Sequence, residues 1–158
     1  MQKITPFLWF KDNAEEAINT YVSIFKNSKI VSVQRNGDHG PGPKGSLMSA
    51  TFQLEGVQFM ALNGGTHYQL TPAFSIYVDC KSQEEVDTLW TKLLAGGGRE
   101  EMCGWLVDRF GVSWQIIPDV LIQLMNDKNP KKAGAVVNAM LKMQKIDIAT
   151  LEAAANGT

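Results

Sequence analysis

The sequence predicts an α+β fold of two βαβββ modules in tandem, followed by a helical extension. Three observations predict it. The order strand, helix, then three strands can be read twice, at a period of about 70 residues. Each intervening helix shows apolar residues three and four apart, whereas the flanking segments alternate or run apolar for four to eight residues. After Pro118 the pattern is helical throughout.

In the first module, residues 4–10 (ITPFLWF) carry the apolar and aromatic side chains of a strand, with Pro6 acceptable only near its start or at a sheet edge. Asp12 or Asn13 then offers a helix cap, and Ala14, Ala17, Ile18, Tyr21, Val22 and Phe25 form one apolar stripe. Residues 29–35 (KIVSVQR) alternate. A glycine and proline loop covers 37–45, and two further strands, 47–54 and 57–62, are joined by Glu55-Gly56, which suits a tight hairpin.

The second module repeats the order. Residues 73–78 (AFSIYV) read as a strand. Ser82 is the helix cap with Glu85 as its capping-box partner, and Val86, Leu89, Trp90, Leu93 and Leu94 make the apolar stripe. Gly96-Gly97-Gly98 ends that helix, and short strands are expected over 99–102, 104–108 and 112–117. The modules thus span about 1–66 and 72–118 of one domain, 1–118, and residues 119–158 form the tail. Pro130 sits at a first helical position, and Met125, Met140 and Met143 join Leu121, Leu124 and Leu141 in apolar stripes. Such stripes are packing surfaces, so the tail is expected to lie on the domain or on a dimer partner.

Fifteen basic residues face sixteen acidic ones, which leaves no electrostatic footprint for nucleic acid. No apolar run approaches the length of a bilayer span, and MQKITPF lacks a signal-peptide core, so a cytoplasmic protein without membrane contact is expected. Cys80 and Cys103 stand apart, without the pairing of a disulfide framework or a zinc knuckle, and read as reduced structural thiols.

Residues 40–45 (GPGPKG) fit GxGxxG formally, yet two prolines remove N–H groups and a strand follows, so a flexible loop is expected rather than a phosphate cradle. The same lack of a strand, glycine loop and helix unit argues against a doubly wound methyltransferase. His39 and His67 lie in loops with no metal-ligand spacing. The pairs Glu15-Glu16 and Glu84-Glu85 fall in first helical turns, where they complement the helix dipole. Asp108-Arg109-Phe110-Gly111 reads as a turn, with Asp108 a lesser candidate for a cavity rim.

The segments TPFLWFKDNAEEAINTYVSIF, CGWLVDRFGVSWQIIP and AVVNAMLKMQKIDIATLEAA resemble PhnB-like proteins of the vicinal-oxygen-chelate superfamily, the superfamily of glyoxalases, bleomycin-resistance proteins and ring-cleaving dioxygenases. Part of this group is labelled 3-demethylubiquinone-9 3-methyltransferase. The resemblance implies sheets curled around a cavity and a homodimer. Metalloenzymes of the superfamily hold a divalent ion with His and Glu from the first and fourth strands of each module. Matched by motif and strand phase, those places hold Thr5, Met60, Ala73 and Gln115, so neither a metal nor another cofactor is expected.

From the same phase, Thr5, Phe7, Trp9, Met60, Leu62, Ser75, Tyr77 and Gln115 are expected on inward faces, with Trp114 turned the other way under a helix and Trp105 capping the pocket or a dimer edge. Apolar walls with a few polar atoms are the makeup of a small-molecule site, although the same side chains would also serve to fill an interior. The reading that follows is a metal-free small-molecule-binding protein. The alternatives are a metal-dependent glyoxalase-type lyase, isomerase or dioxygenase-like enzyme, and a dimeric interaction module without catalysis.

Overall fold

The computed structural model describes residues 2–157, which divide into two compact units, 2–70 and 71–157. The first unit runs β1 (Phe7–Phe10), α1 (Ala14–Ile24), β2 (Lys29–Arg35), β3 (Leu47–Leu54) and β4 (Val57–Asn63). Its sheet has the order β1-β4-β3-β2, with β1 and β4 parallel and the other pairs antiparallel. The second unit repeats the order with β5 (Ser75–Cys80), α2 (Gln83–Leu94), β6 (Arg99–Glu100), β7 (Trp105–Val107) and β8 (Ser113–Pro118), in the sheet order β5-β8-β7-β6. Helices α3 (Asp119–Met125), α4 (Pro130–Met140) and α5 (Ile148–Asn156) complete it. The α+β fold of two βαβββ modules is therefore present.

In each unit the first helix packs on one face of the sheet; the opposite face is left open in the first unit, while in the second the tail covers it at Ile117. Ala14, Ala17, Ile18 and Tyr21 of α1 are buried together with Leu8, Phe10, Phe52, Phe59 and Ala61, the alternate residues of three strands. Phe52 and Phe59 are register partners and stack with ring centroids 5.5 Å apart. In the second unit Val86, Leu89, Trp90 and Leu93 of α2 are buried, as are Leu106, Trp114 and Ile116 on the inner face of its sheet.

Local chemistry fixes the element ends. Glu55 (φ 47°) and Gly56 (φ 84°) both take the left-handed conformation that a two-residue hairpin requires. The Ser82 hydroxyl accepts from the Glu85 N–H, while the Glu85 carboxylate accepts from the N–H of Lys81, one residue before the cap. Helix α1 departs from expectation: the Asn13 side chain caps nothing, and the Ala14 N–H donates to Asn63 Oδ1 of β4 at 2.9 Å.

The first strand is shorter than residues 4–10 because Pro6 cannot donate. Before Phe7 the Pro6 carbonyl still accepts from Met60 N–H at 2.9 Å, and beyond it a side chain continues the sheet. Gln58 N–H donates to Gln2 Oε1 at 3.1 Å, and Gln2 Nε2 donates to Gln58 O at 2.9 Å. Strand β5 starts two residues later than expected, at Ser75, where pairing with Ser113 begins.

The helical tail belongs to the second unit. Leu121, Val136, Ile146, Leu151 and Ala155 bury a common cluster with Ile117 of β8, and Leu124, Met125, Met140 and Met143 pack around it. The tail backbone is also tied down: Cys103 and Gly104 donate to Met143 O and Gln144 O, each at 2.8 Å. Gln83 of α2 uses both ends of its amide, donating to Ile146 O at 3.0 Å and accepting from Ile148 N–H at 2.8 Å. Glycine is favoured at Gly104 by its φ of 83°, and a Cβ there would also crowd Ile117 Cδ1 and the Ile116 carbonyl.

Candidate functional site

Register decides which side chains share the open face of each sheet. In the first unit Phe7 pairs with Met60 and Met60 with Thr51, while Trp9 pairs with Leu62 and Leu62 with Ser49. Of the predicted site residues, Phe7, Trp9, Met60 and Leu62 therefore form two adjacent rows, and Thr5 lies half-buried just before the strand. The Trp9 indole N–H donates to Gly65 O at 3.1 Å, and a Cβ on Gly64 would overlap its ring, so the loop after β4 must be glycine to pass the indole.

That loop adds an aromatic residue the sequence reading did not include. Tyr68 meets Trp9 edge-on at 5.0 Å, and His67 meets Tyr68 edge-on at 4.5 Å. No strand phase assigns a loop residue to a face. An aromatic residue shortly after Gly64-Gly65 was the one signal available.

In the second unit Ser75 pairs with Ser113, and Ser113 with Val107; Tyr77 pairs with Gln115, and Gln115 with Trp105. Ser75, Tyr77, Trp105 and Gln115 thus share one open face. Gln115 Nε2 donates to Ser75 Oγ at 2.9 Å. Tyr77 is 48% exposed, and partial burial, with lesser effects from Asp79 and Cys80, raises its phenol above the usual tyrosine range. It is therefore a neutral hydroxyl at physiological pH. Ser113 stands on the same face, yet it is only 2% exposed and its hydroxyl has no hydrogen-bond partner.

Trp114 points to the opposite, helix-covered face, 1% exposed, as strand phase required. Its indole N–H donates to Asp108 Oδ2 at 2.9 Å, and Asp108 Oδ1 accepts from the Phe110 and Val112 N–H groups at 2.9 and 3.0 Å. Asp108, 5% exposed, is thus a clamp for the β7–β8 turn and does not rim a cavity.

The register also corrects one expected metal position. Thr5 stands two residues before the partner of Met60, and the residue two before the partner of Gln115 is Ser75, not Ala73. The four places therefore hold two hydroxyls, a thioether and an amide, all neutral. Such donors do not fit a catalytic divalent ion, which requires imidazole or carboxylate. Among the described residues no three His, Cys, Asp or Glu come together in a way that could hold one.

The remaining reactive groups are engaged elsewhere. Burial, with smaller contributions from the carboxylates of Glu85, Asp79 and Asp119, pushes the Cys80 thiol up to about 12. Glu15 forms an ion pair with Arg35, Glu100 accepts from the Trp90 indole, and Glu101 forms an ion pair with Arg99. The loop 37–45 closes over Asn36: Cβ atoms on Gly40 and Gly42 would stand 2.6 and 2.8 Å from its Oδ1 and Nδ2. Its glycines serve that close approach. Among the described residues no helix is long and apolar enough to cross a membrane.

Comparison with known proteins gives a consistent set of similarities. Residues 2–117 match the family described as 3-demethylubiquinone-9 3-methyltransferase, so α3 to α5 lie outside the matched region. A PhnB protein from Bacillus cereus, whose name refers to the same methyltransferase, is similar at 43% identity and a TM-score of 0.69, over 74% of this chain and 99% of that one. A protein from Pseudomonas aeruginosa is similar at 26% identity and a TM-score of 0.63, over 75% and 98%. The fold is shared with the fosfomycin resistance protein FosX of Listeria monocytogenes, solved with Mn(II) and sulfate, at 18% identity and a TM-score of 0.52, over 72% and 89%. A search of curated proteins found no match.

Proposed function

The chain belongs to the 3-demethylubiquinone-9 3-methyltransferase family, the PhnB-like group of the vicinal-oxygen-chelate superfamily, and from that premise we propose that it binds a small, partly aromatic organic molecule without a resident metal. The observation that carries this reading is the open face of β5–β8. There Gln115 stands between Tyr77 and Trp105 and bonds to Ser75, where a metalloenzyme would need a charged ligand or a carboxylate base. Aromatic flanks supply affinity and the neutral amide and hydroxyls supply orientation. Phe7, Trp9, Met60 and Leu62 give the first unit a similar apolar surface, with Thr5 at its margin.

The family name suggests methyl transfer, but nothing in either unit supports it. The glycine-rich loop leads into β3 rather than a helix, so it presents no helix N-terminus to a cofactor. A glyoxalase-type reaction lacks its base for the reason already given. Binding or sequestration is the activity that the residues favour.

The test is a broad screen of small aromatic compounds by thermal shift, run with and without a chelator. A ligand at ten times its dissociation constant stabilises by about 1.4 kcal/mol, which raises the melting temperature by roughly 3–6 °C. The expected result is at least one such ligand, unaffected by chelation, with metal content well below one ion per chain. A screen without hits would remove the binding reading. One stoichiometric Zn, Ni, Mn or Fe per chain, lost in Gln115→Ala, would remove the metal-free one.

A further inference from the structure

Ser113 carries a cost that the fold does not explain. A buried hydroxyl without a partner destabilises a protein, and an alanine in its place would avoid that penalty. Only two buried side-chain polar atoms among the described residues are in this state. The other, Asn36 Oδ1, is enclosed by its own glycine loop. Ser113 Oγ, in contrast, is covered although it stands on the face of β8 opposite α2, in register with Ser75 and two residues from Gln115.

The diagonal bond from Gln115 on β8 to Ser75 on β5 runs beside Ser113. Gln115 uses only one end of its amide in that bond, and whichever way the amide is turned its other end stays free. The charged groups nearby are satisfied: Arg99, in the row of Ser113, forms an ion pair with Glu101, and Lys81 with Asp79 and Asp119.

We propose that Ser113 and Gln115 form a hydrogen-bonding pair that reads adjacent acceptor and donor groups on one edge of a neutral planar ring, as in a cyclic amide or an ortho-hydroxy carbonyl. This rests on the small-molecule reading above and adds the ligand's chemistry to it. The ring lies against Tyr77 and Trp105, which flank Gln115 at strand spacing. Binding exchanges the Gln115–Ser75 bond for one to the ligand and must also uncover Ser113, which is 2% exposed, to supply its missing partner. Charged ligands are disfavoured because no unpaired charge on this face would offset their desolvation. A hydroxyl retained at a cost to stability is the trade expected at a functional position.

The experiment uses the full chain, labelled with nitrogen-15, and three probes. These are 2-quinolone, a neutral cyclic amide; quinoline, which lacks the donor; and quinoline-2-carboxylate, which is charged. We expect 2-quinolone to shift the Gln115 side-chain amide and the Trp105 indole signals saturably, at least about tenfold more tightly than either of the others. Ser113→Ala should weaken 2-quinolone at least about tenfold while melting about 2–4 °C above the parent. Equal binding of quinoline, undiminished binding by the variant, no shift with 2-quinolone, or a variant that melts below the parent would each overturn the proposal. Ligands from the broad screen whose shifts miss Gln115 and Trp105 would overturn it while leaving the small-molecule reading intact.

Discussion

Asp108→Ala is expected to destabilise the protein by about 4 kcal/mol, a large share of the stability of a typical small domain. The carboxylate accepts from the Trp114 indole and from two backbone N–H groups of the turn, and all three donors lose their partner at once. Hydrogen bonds to a charged acceptor contribute about 1.5–3 kcal/mol each, though such sums are not additive. Asp108→Asn should cost about half as much, because it retains one acceptor oxygen and sets an N–H against a donor. Denaturant titration followed by tryptophan fluorescence reads the effect. A loss below about 1 kcal/mol for the alanine variant would show that the clamp is dispensable.

Leu151→Ala should destabilise by about 3 kcal/mol, although it lies 34 residues beyond the part of the chain that the family shares. Leu151 is fully buried in the cluster with Ile117, Leu121, Val136 and Ile146, so truncation leaves a cavity in the core of the second unit. Leu141→Ala is the control. Leu141 is 56% exposed in the same tail, and its loss should cost no more than about 0.5 kcal/mol. Similar effects for the two variants would mean that the tail is not part of the cooperative core.

The element order was legible because it depends on local chemistry repeated along the chain. The hairpin at Glu55-Gly56, the cap at Ser82 and the halt at Gly96 follow from the residues on the spot. The phase of each strand was legible too, and with it the separation of Trp114 from Gln115. What stayed hidden depends on residues far apart in sequence. Helix α1 is capped by Asn63, 49 positions away, and the first strand is prolonged by Gln2 against Gln58, 56 positions away. No window along the chain contains either pair.

The candidate site was legible in the same uneven way. Alternation placed Phe7, Trp9, Met60 and Leu62 on one face and Ser75, Tyr77, Trp105 and Gln115 on another. It did not fix the start of β5, which only pairing with Ser113 determines, and so Ala73 was expected where Ser75 stands. Asp108 showed itself as a turn residue, but its indole donor became apparent only once the hairpin closed. The missing partner of Ser113 could not be foreseen at all, since an unpaired hydroxyl is a property of everything around it.

Gln83 gives the second unit a chemical vulnerability. Its amide nitrogen donates to Asp87 Oδ1 at 2.9 Å as well as to the Ile146 carbonyl, so it holds the tail through a group that slow deamidation removes. Conversion to glutamate would set a new carboxylate against two oxygens and loosen the join between α2 and the segment before α5, while the buried Leu151 and Ala155 keep that helix in place.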